Sequence, residues 1–251
     1  AGSVSGGCVE GAVVTEALAQ RVVFEGKRAV GVSYRRGGRN GAATEIRARR
    51  EVILSGGAYN SPQLLQLSGI GPAPLLQSLG IPVRHAIAGV GEGLQDHYAP
   101  RTVARVRNAR TINEQVRGLS LMGEALKWAV TRKGILSIPP TVVYCFWSSG
   151  ESPEGLDLQI TFTPASYKEG EIGKLEDEPG MTCAAWQQRP ESRGWVRARS
   201  GDPFEAPLIQ TNYLAEDLDR RVTIAGMKLA RRLLKSEPLA PYYAHEDFPG
   251  P

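Results

Sequence analysis

Ser55-Gly56-Gly57-Ala58-Tyr59-Asn60-Ser61-Pro62-Gln63-Leu64-Leu65-Gln66-Leu67-Ser68-Gly69-Ile70-Gly71-Pro72 packs a strand end, a glycine turn, a helix and a glycine stop into one run. Ahead of it, Glu51-Val52-Ile53-Leu54 has the apolar content of a buried parallel strand. Gly56 and Gly57 let the backbone turn tightly, or approach a ligand, with no Cβ in the way. Asn60 or Ser61 suits the N-cap, Pro62 the first helical position, and Leu64, Leu65 and Leu67 an apolar face. Gly69 is placed to end the helix left-handed, and Pro72 blocks its resumption. A strand that runs through glycines into a helix presents free N–H groups and a positive dipole end. That chemistry matches a phosphate or a ribose-phosphate edge, although the same turn binds nothing in many proteins.

The run resembles the second signature of the glucose–methanol–choline (GMC) oxidoreductases, flavoenzymes that oxidise alcohols with FAD. The similarity continues through Leu79-Gly80-Ile81-Pro82-Val83 and Gly89-Val90-Gly91-Glu92-Gly93-Leu94-Gln95-Asp96-His97, with Gly93 where the family usually has Asn. Upstream, Ala17 to Val32 resembles the strand pair before the signature. Downstream, Asp157–Ala165, Arg193–Ser200, Asp202–Pro207 and Asn212–Leu214 resemble the family's substrate domain. The resemblance implies a mixed fold, α/β followed by α+β. Residues 15–99 form a partial FAD-binding, Rossmann-like domain, and residues 100–251 a substrate-binding domain with an antiparallel sheet and flanking helices.

Two departures stand beside the match. No Gly-x-Gly-x-x-Gly occurs in these residues, so the βαβ unit that would hold the FAD pyrophosphate is not among them. The family's C-terminal stretch with its catalytic histidine is not matched either, so the chain resembles the middle of a GMC enzyme. By that resemblance it holds no catalytic residue of its own and is expected to be inactive alone. A companion fragment or a homo-oligomer is the expected partner. Residues 1–14 form an atypical segment, of which 2–14 resemble a motif of xanthine dehydrogenase accessory proteins, with Cys8 among its glycines. A glycine–serine loop around an ordinary buried thiol is the preferred reading, because fourteen residues cannot fold into a site alone.

The remaining composition narrows the function classes. The chain has 251 residues, 41% hydrophobic and 22% charged, as in ordinary globular proteins. Its net charge is +4, but acids are interleaved with the bases, and no basic–aromatic pattern for base stacking occurs. Nucleic acid is therefore not an expected partner. The cysteines Cys8, Cys145 and Cys183 are too few and scattered for a disulfide framework or a zinc site, and no metal is expected. No apolar run reaches the length of a membrane span and no signal peptide is seen, so the expected location is cytoplasmic.

Alternation predicts strands over about Val13–Phe24, Arg28–Arg35 and Ala43–Ala48, joined by turns at Gly26-Lys27 and Gly37 to Gly41. A short helix around Pro74–Leu79 and a loop over Gly89–Tyr98 follow, with a domain boundary near Pro100. Beyond it come a strand at Arg101–Val106 and a helix over Ile112–Arg132, with Val116, Leu119, Met122, Leu126 and Val130 on one side. Strands are expected at Thr141–Trp147, Asp157–Thr163, Met181–Gln187 and Gly194–Arg199, with Cys145 in the core. A last helix over Glu216–Leu234 would bury Leu218, Val222, Ala225, Leu229 and Leu233.

Oxidation of an alcohol by a flavin needs a base for the hydroxyl proton. Of the three histidines, His85 reads as solvated and His245 as an exposed residue near the end of the chain. Family usage implies that His97 is a positioning residue near the flavin. The resemblance also implies that the Ala19 backbone meets the adenine and that Ser55, Gly56 and Tyr59 line the adenosine side. Ile138, Pro139, Thr141, Phe162 and Pro164 resemble positions lining a pocket over the flavin ring, apolar enough for an aliphatic or aromatic alcohol. Core packing is an equal alternative for each of these five.

Overall fold

A computed structural model describes residues 2–4, 11–153, 155–171 and 173–250. Cys8, on which the accessory-protein resemblance turns, lies outside the described residues. The first strands are β1 (Gly2–Val4), β2 (Gly11–Val13), β3 (Ala17–Glu25), β4 (Arg28–Arg36) and β5 (Ala43–Arg47). Then come α1 (Gly57–Leu67), β6 (Ile70–Gly71), α2 (Ala73–Ser78), β7 (His85–Ala86) and β8 (Glu92–Leu94). The middle holds β9 (Arg101–Val106), α3 (Ile112–Gln115), α4 (Gly118–Thr131), β10 (Val143–Trp147), β11 (Leu158–Thr163) and β12 (Gly180–Gln187). The remainder is β13 (Gly194–Arg197), β14 (Leu208–Gln210), α5 (Asp217–Leu234) and β15 (Tyr243–Phe248).

These elements form two compact units, Ala1–Gln95 with Arg193–Asn212, and Asp96–Ser192 with Tyr213–Pro251. The first break falls between Gln95 and Asp96. The segment around β13 and β14, read from sequence as substrate domain, belongs instead to the first unit. The reason is pairing, because β13 adds to β8 in a sheet ordered β14-β13-β8.

In the first unit, β3, β4 and β5 make an antiparallel meander in which Val22 pairs with Val32 and Val32 with Ile46. The strand expected from Val13 is interrupted, since Glu16 takes a left-handed φ of +55° between β2 and β3. Glu51–Leu54 is not a strand. It pairs with nothing among the described residues and leaves Ile53 75% exposed. A parallel strand exists through the ladder its neighbours supply, and apolar content alone does not create one.

The helix of the glycine run starts earlier than expected. α1 begins at Gly57 with Gly56 as its N-cap, so Pro62 lies inside it, and neither Asn60 nor Ser61 caps. Its other end follows the sequence. Gly69 has φ +85°, where a Cβ would stand 2.5 Å from the Pro82 carbonyl oxygen.

The second unit centres on an antiparallel sheet ordered β10-β11-β12-β9-β15. Ala104, Ile160, Met181, Cys183 and Ala185 on one face form a core with Ala230 and Leu234 of α5. The helix approaches closely because residue 226 is glycine; a Cβ there would meet Leu158 Cδ2 at 2.9 Å and Ala185 Cβ at 3.1 Å. That close approach fixes the buried stripe as Asp219, Val222, Thr223, Gly226, Ala230 and Leu234. It runs one residue further on than the leucine-based stripe at most positions, so Leu233 faces outward.

The helix expected over Ile112–Arg132 is two helices. Thr111 and Glu114 close a capping box on α3, and Gly118, the first residue of α4, takes φ +48°, which separates the two helices. The apolar side of α4 is open, with Leu119 85% and Val130 76% exposed; the helix meets its chain neighbours α3 and residues 135–137 but buries none of its own residues. Cys145 is likewise exposed rather than core. It sits on edge strand β10, and α5 packs on β12, β9 and β11 without covering β10.

Candidate functional site

In the first unit, three of the adenosine-side candidates stand at the start of α1 and the fourth, Ala19, on β3, the strand on which α1 packs. Ser55, Gly56 and Tyr59 are exposed around the helix start, and Ala19 is exposed on β3 opposite Tyr34, beside a bulge between Ala19 and Arg21. α1 packs on β3, and one hydroxyl fixes that contact. Ser68, buried at the α1 C-cap, accepts the Val22 amide proton at 2.8 Å and donates to the Leu64 carbonyl at 2.6 Å. At the other end of the helix, the Ser61 hydroxyl accepts the Gly56 amide proton at 3.0 Å and closes the turn. Gly57 takes φ +79° with nothing within 4 Å of an added Cβ, so the turn is open where a ligand edge would lie. The residues present therefore fit the adenosine side of a dinucleotide.

Gln66 holds this turn-and-helix to the rest of the unit. Fully buried, it donates to the carbonyls of Val90 and Val196 and accepts the Ala198 amide proton at 2.6 Å. The Gly89-Val90-Gly91 phrase is thereby locked to α1 and β13. A Cβ on Gly91 would lie 2.1 Å from the Val196 oxygen and 2.6 Å from Gln66 Nε2.

His97 falls in the second unit rather than with Ala19, Ser55, Gly56 and Tyr59. Its Nε2 lies 2.9 Å from the Gln188 carbonyl oxygen, which only accepts, so in the neutral ring Nε2 carries the proton and Nδ1 is an acceptor. Its ring is 5.9 Å from that of Trp186. Asp96 accepts the His97 backbone N–H at 3.0 Å and the Tyr213 hydroxyl on its other oxygen. His85 is exposed on β7, and His245 is exposed within β15, a paired strand.

The five pocket candidates do not share one surface. Phe162 points to the α5 side of the sheet and packs on the core, so for it core packing is the observed role. Ile138 and Pro139 are exposed before β10. The Thr141 hydroxyl lies 3.0 Å from that of Thr163 on the opposite sheet face, and the Pro164 carbonyl accepts the Ile112 amide proton at 3.0 Å.

That opposite face holds residues the sequence reading passed over. Cross-strand register aligns Phe146, Gln159 and Trp186 in one row and Tyr144, Thr161, Ala184 and Arg101 in the next. Tyr144 and Phe146 are exposed and the other five half-buried. Trp186 Nε1 and Gln188 Oε1 are buried without partners among the described residues. Alternation within each strand marked these side chains as one set per strand, but only register shows that the sets line up. Among the described residues no group of His, Cys, Asp and Glu is arranged to hold a metal ion.

The amino-terminal GMC oxidoreductase family model matches residues 8–99 and the carboxy-terminal one residues 190–251. The chain belongs to the GMC oxidoreductase family. FAD is the cofactor of that family. The amino-terminal match takes in residues 8–14, part of the segment that sequence reading had set apart.

Similar proteins include an oxygen-dependent choline dehydrogenase of Pseudomonas syringae pv. tomato. It is 36% identical over 238 residues, 95% of this chain and 42% of the relative. One from Staphylococcus xylosus is 33% identical over 239 residues, again 42% of the relative. The chain therefore spans less than half the length of these relatives. Among solved structures, a formate oxidase matches 94% of the chain with TM-score 0.84 at 23% identity, covering 46% of that oxidase. A fungal aryl-alcohol oxidase matches 93% with TM-score 0.72 at 22% identity, covering 46% of its own chain. These structures share the fold. No helix among the described residues is long and apolar enough to cross a membrane.

Proposed function

We propose that this GMC chain serves an FAD-dependent oxidation of the CH–OH group of an alcohol, with the first unit taking the adenosine side of FAD. Residues 15–99 are read as a partial Rossmann-like FAD domain, to which β13 and β14 add, and the second unit as the substrate domain. The observation that carries this is the open, glycine-built start of α1, anchored through Ser68 to the strand that bears Ala19. Gly56, Gly57 and Tyr59 would border the ribose and adenine, with the Ala19 backbone on the adenine edge. FAD, when bound, would supply the acceptor for the carbinol hydride, with the hydroxyl proton passing to a base and a carbonyl product formed. His97, held by Gln188 and Asp96, orients groups beside Trp186. The substrate is read as lying on the sheet face away from α5, with Thr141, Ile138, Pro139 and Pro164 at its margin.

Fluorescence titration with FAD, with AMP as competitor, tests the assignment. The chain quenches flavin fluorescence, AMP relieves the quenching, and Gly57→Val weakens both by about tenfold or more. The absence of any AMP-sensitive FAD signal would overturn it.

A second reading has its own observation. The open apolar side of α4 and the uncovered edge strand β10 fit a binding or dimerisation module without catalysis. Sizing chromatography separates the two. A dimer that binds no flavin favours the second, and a flavin-binding species of any size favours the first.

A further inference from the structure

We infer that the alcohol taken by the open sheet face of the second unit is uncharged, and that a quaternary-ammonium alcohol is disfavoured there; this rests on the flavoenzyme reading above. The two rows Phe146-Gln159-Trp186 and Tyr144-Thr161-Ala184-Arg101 are fixed by strand register. They hold three aromatic rings, two uncharged hydrogen-bonding side chains, one alanine and one cation, with no carboxylate.

The described acids beside these rows are already engaged, Glu176 by Arg105 among them, where the charge of Arg101 also reaches it. Asp96 is taken by the Tyr213 hydroxyl and the His97 amide, Asp157 by the Ser149 amide and hydroxyl, and Glu151 by Arg221. Arg101 makes no salt bridge among the described residues; its guanidinium stands 6.0 Å from the centre of the Tyr167 ring.

A cation leaving water for such a face needs a carboxylate or a closed aromatic cage to replace its hydration. Here the rings lie side by side on a sheet, the two rows hold no carboxylate, and Arg101 adds charge of the wrong sign within them. An uncharged alcohol meets none of these costs. Its apolar body lies between Phe146 and Trp186, and Gln159 and Thr161 each offer a donor and an acceptor to its hydroxyl. The face thus departs in charge preference from the choline that names the relatives at 36% identity.

Anaerobic stopped-flow measurement of flavin reduction in the FAD-loaded protein, assembled with the companion chain expected to supply the base, tests this with benzyl alcohol and with choline. Benzyl alcohol is expected to give a kcat/KM at least about tenfold above choline. Phe146→Glu, which places a carboxylate on an exposed edge position, narrows that ratio by about tenfold. Equal efficiency with both alcohols, or an unchanged ratio in the variant, overturns the inference and leaves the flavoenzyme reading standing. Flavin that binds but is reduced by neither alcohol overturns the alcohol-oxidising reading, and this inference with it.

Discussion

Gln66 Oε1 accepts the amide proton of Ala198 at 2.6 Å, so a buried helical side chain completes the backbone hydrogen bonding of a strand far along the chain. Its Nε2 serves the Val90 and Val196 carbonyls at the same point. A glutamine on a helix between leucines is therefore the link between the glycine run, the Gly-Val-Gly phrase and β13.

Replacing Gln66 by Leu fills the space but strands one amide and two carbonyls in a buried site. Destabilisation of about 2–4 kcal/mol is expected in urea or guanidinium unfolding. Gly91→Ala is expected to cost a similar amount or more, since φ is +89° and the new methyl would collide with the Val196 oxygen. A Gly91→Ala protein as stable as the parent would show that the loop is free to move away.

Ser68→Ala removes the acceptor of the Val22 amide where both residues are buried. The expected loss is about 1–3 kcal/mol. Because this contact seats α1 on β3, FAD binding should weaken in parallel, measured by the same fluorescence titration. A loss of stability with unchanged flavin affinity would mean that the hydroxyl supports only the fold.

Arg105 gathers Glu176 and Asp247 at 2.6 Å each, with Glu178 at 3.6 Å. Burial on its own would raise the Glu176 carboxyl, but hydrogen bonds from Arg105 and Ser166 and the charges of Arg105 and Arg101 hold it below its ordinary value. A carboxyl depressed in the folded state stabilises fully above its unfolded value, about 4.3, and the contribution disappears as pH falls through the lower folded value. Unfolding free energy should therefore drop below about pH 4.3, and Glu176→Gln should flatten that drop. It should also lower stability at pH 7 by about 1–2 kcal/mol.

Much of this was legible because local rules decided it. Gly69 ends a helix wherever a left-handed residue is required, and the antiparallel strands of the second unit alternate visibly. What failed depended on partners that no local pattern contains. Among the described residues Glu51–Leu54 has strand composition and no ladder, and α4 has an amphipathic stripe that stays exposed. Cys145 has core-like neighbours in sequence but lies on an edge strand. The leucine-based stripe of α5 marks the wrong side of the helix, because the smallness of Gly226 and Ala230 sets how closely it lies on the sheet. At the candidate sites, the glycine turn was readable from the run itself, whereas the Phe146-Gln159-Trp186 row exists only through register.

The two described thiols should report these packing differences directly. Cys183 lies in the core between the sheet and α5, where burial pushes its thiol up to about 12, so almost no thiolate forms at pH 8 and no reagent reaches it. Cys145 is exposed on β10. Treatment with iodoacetamide at pH 8 followed by peptide mass mapping should label Cys145 within minutes and leave Cys183 unmodified until denaturant is added. A partner that covers β10, whether a second copy or another chain, should protect Cys145 in proportion to its occupancy without changing Cys183. Rapid labelling of Cys183 in the native protein would show that α5 does not stay packed on the sheet.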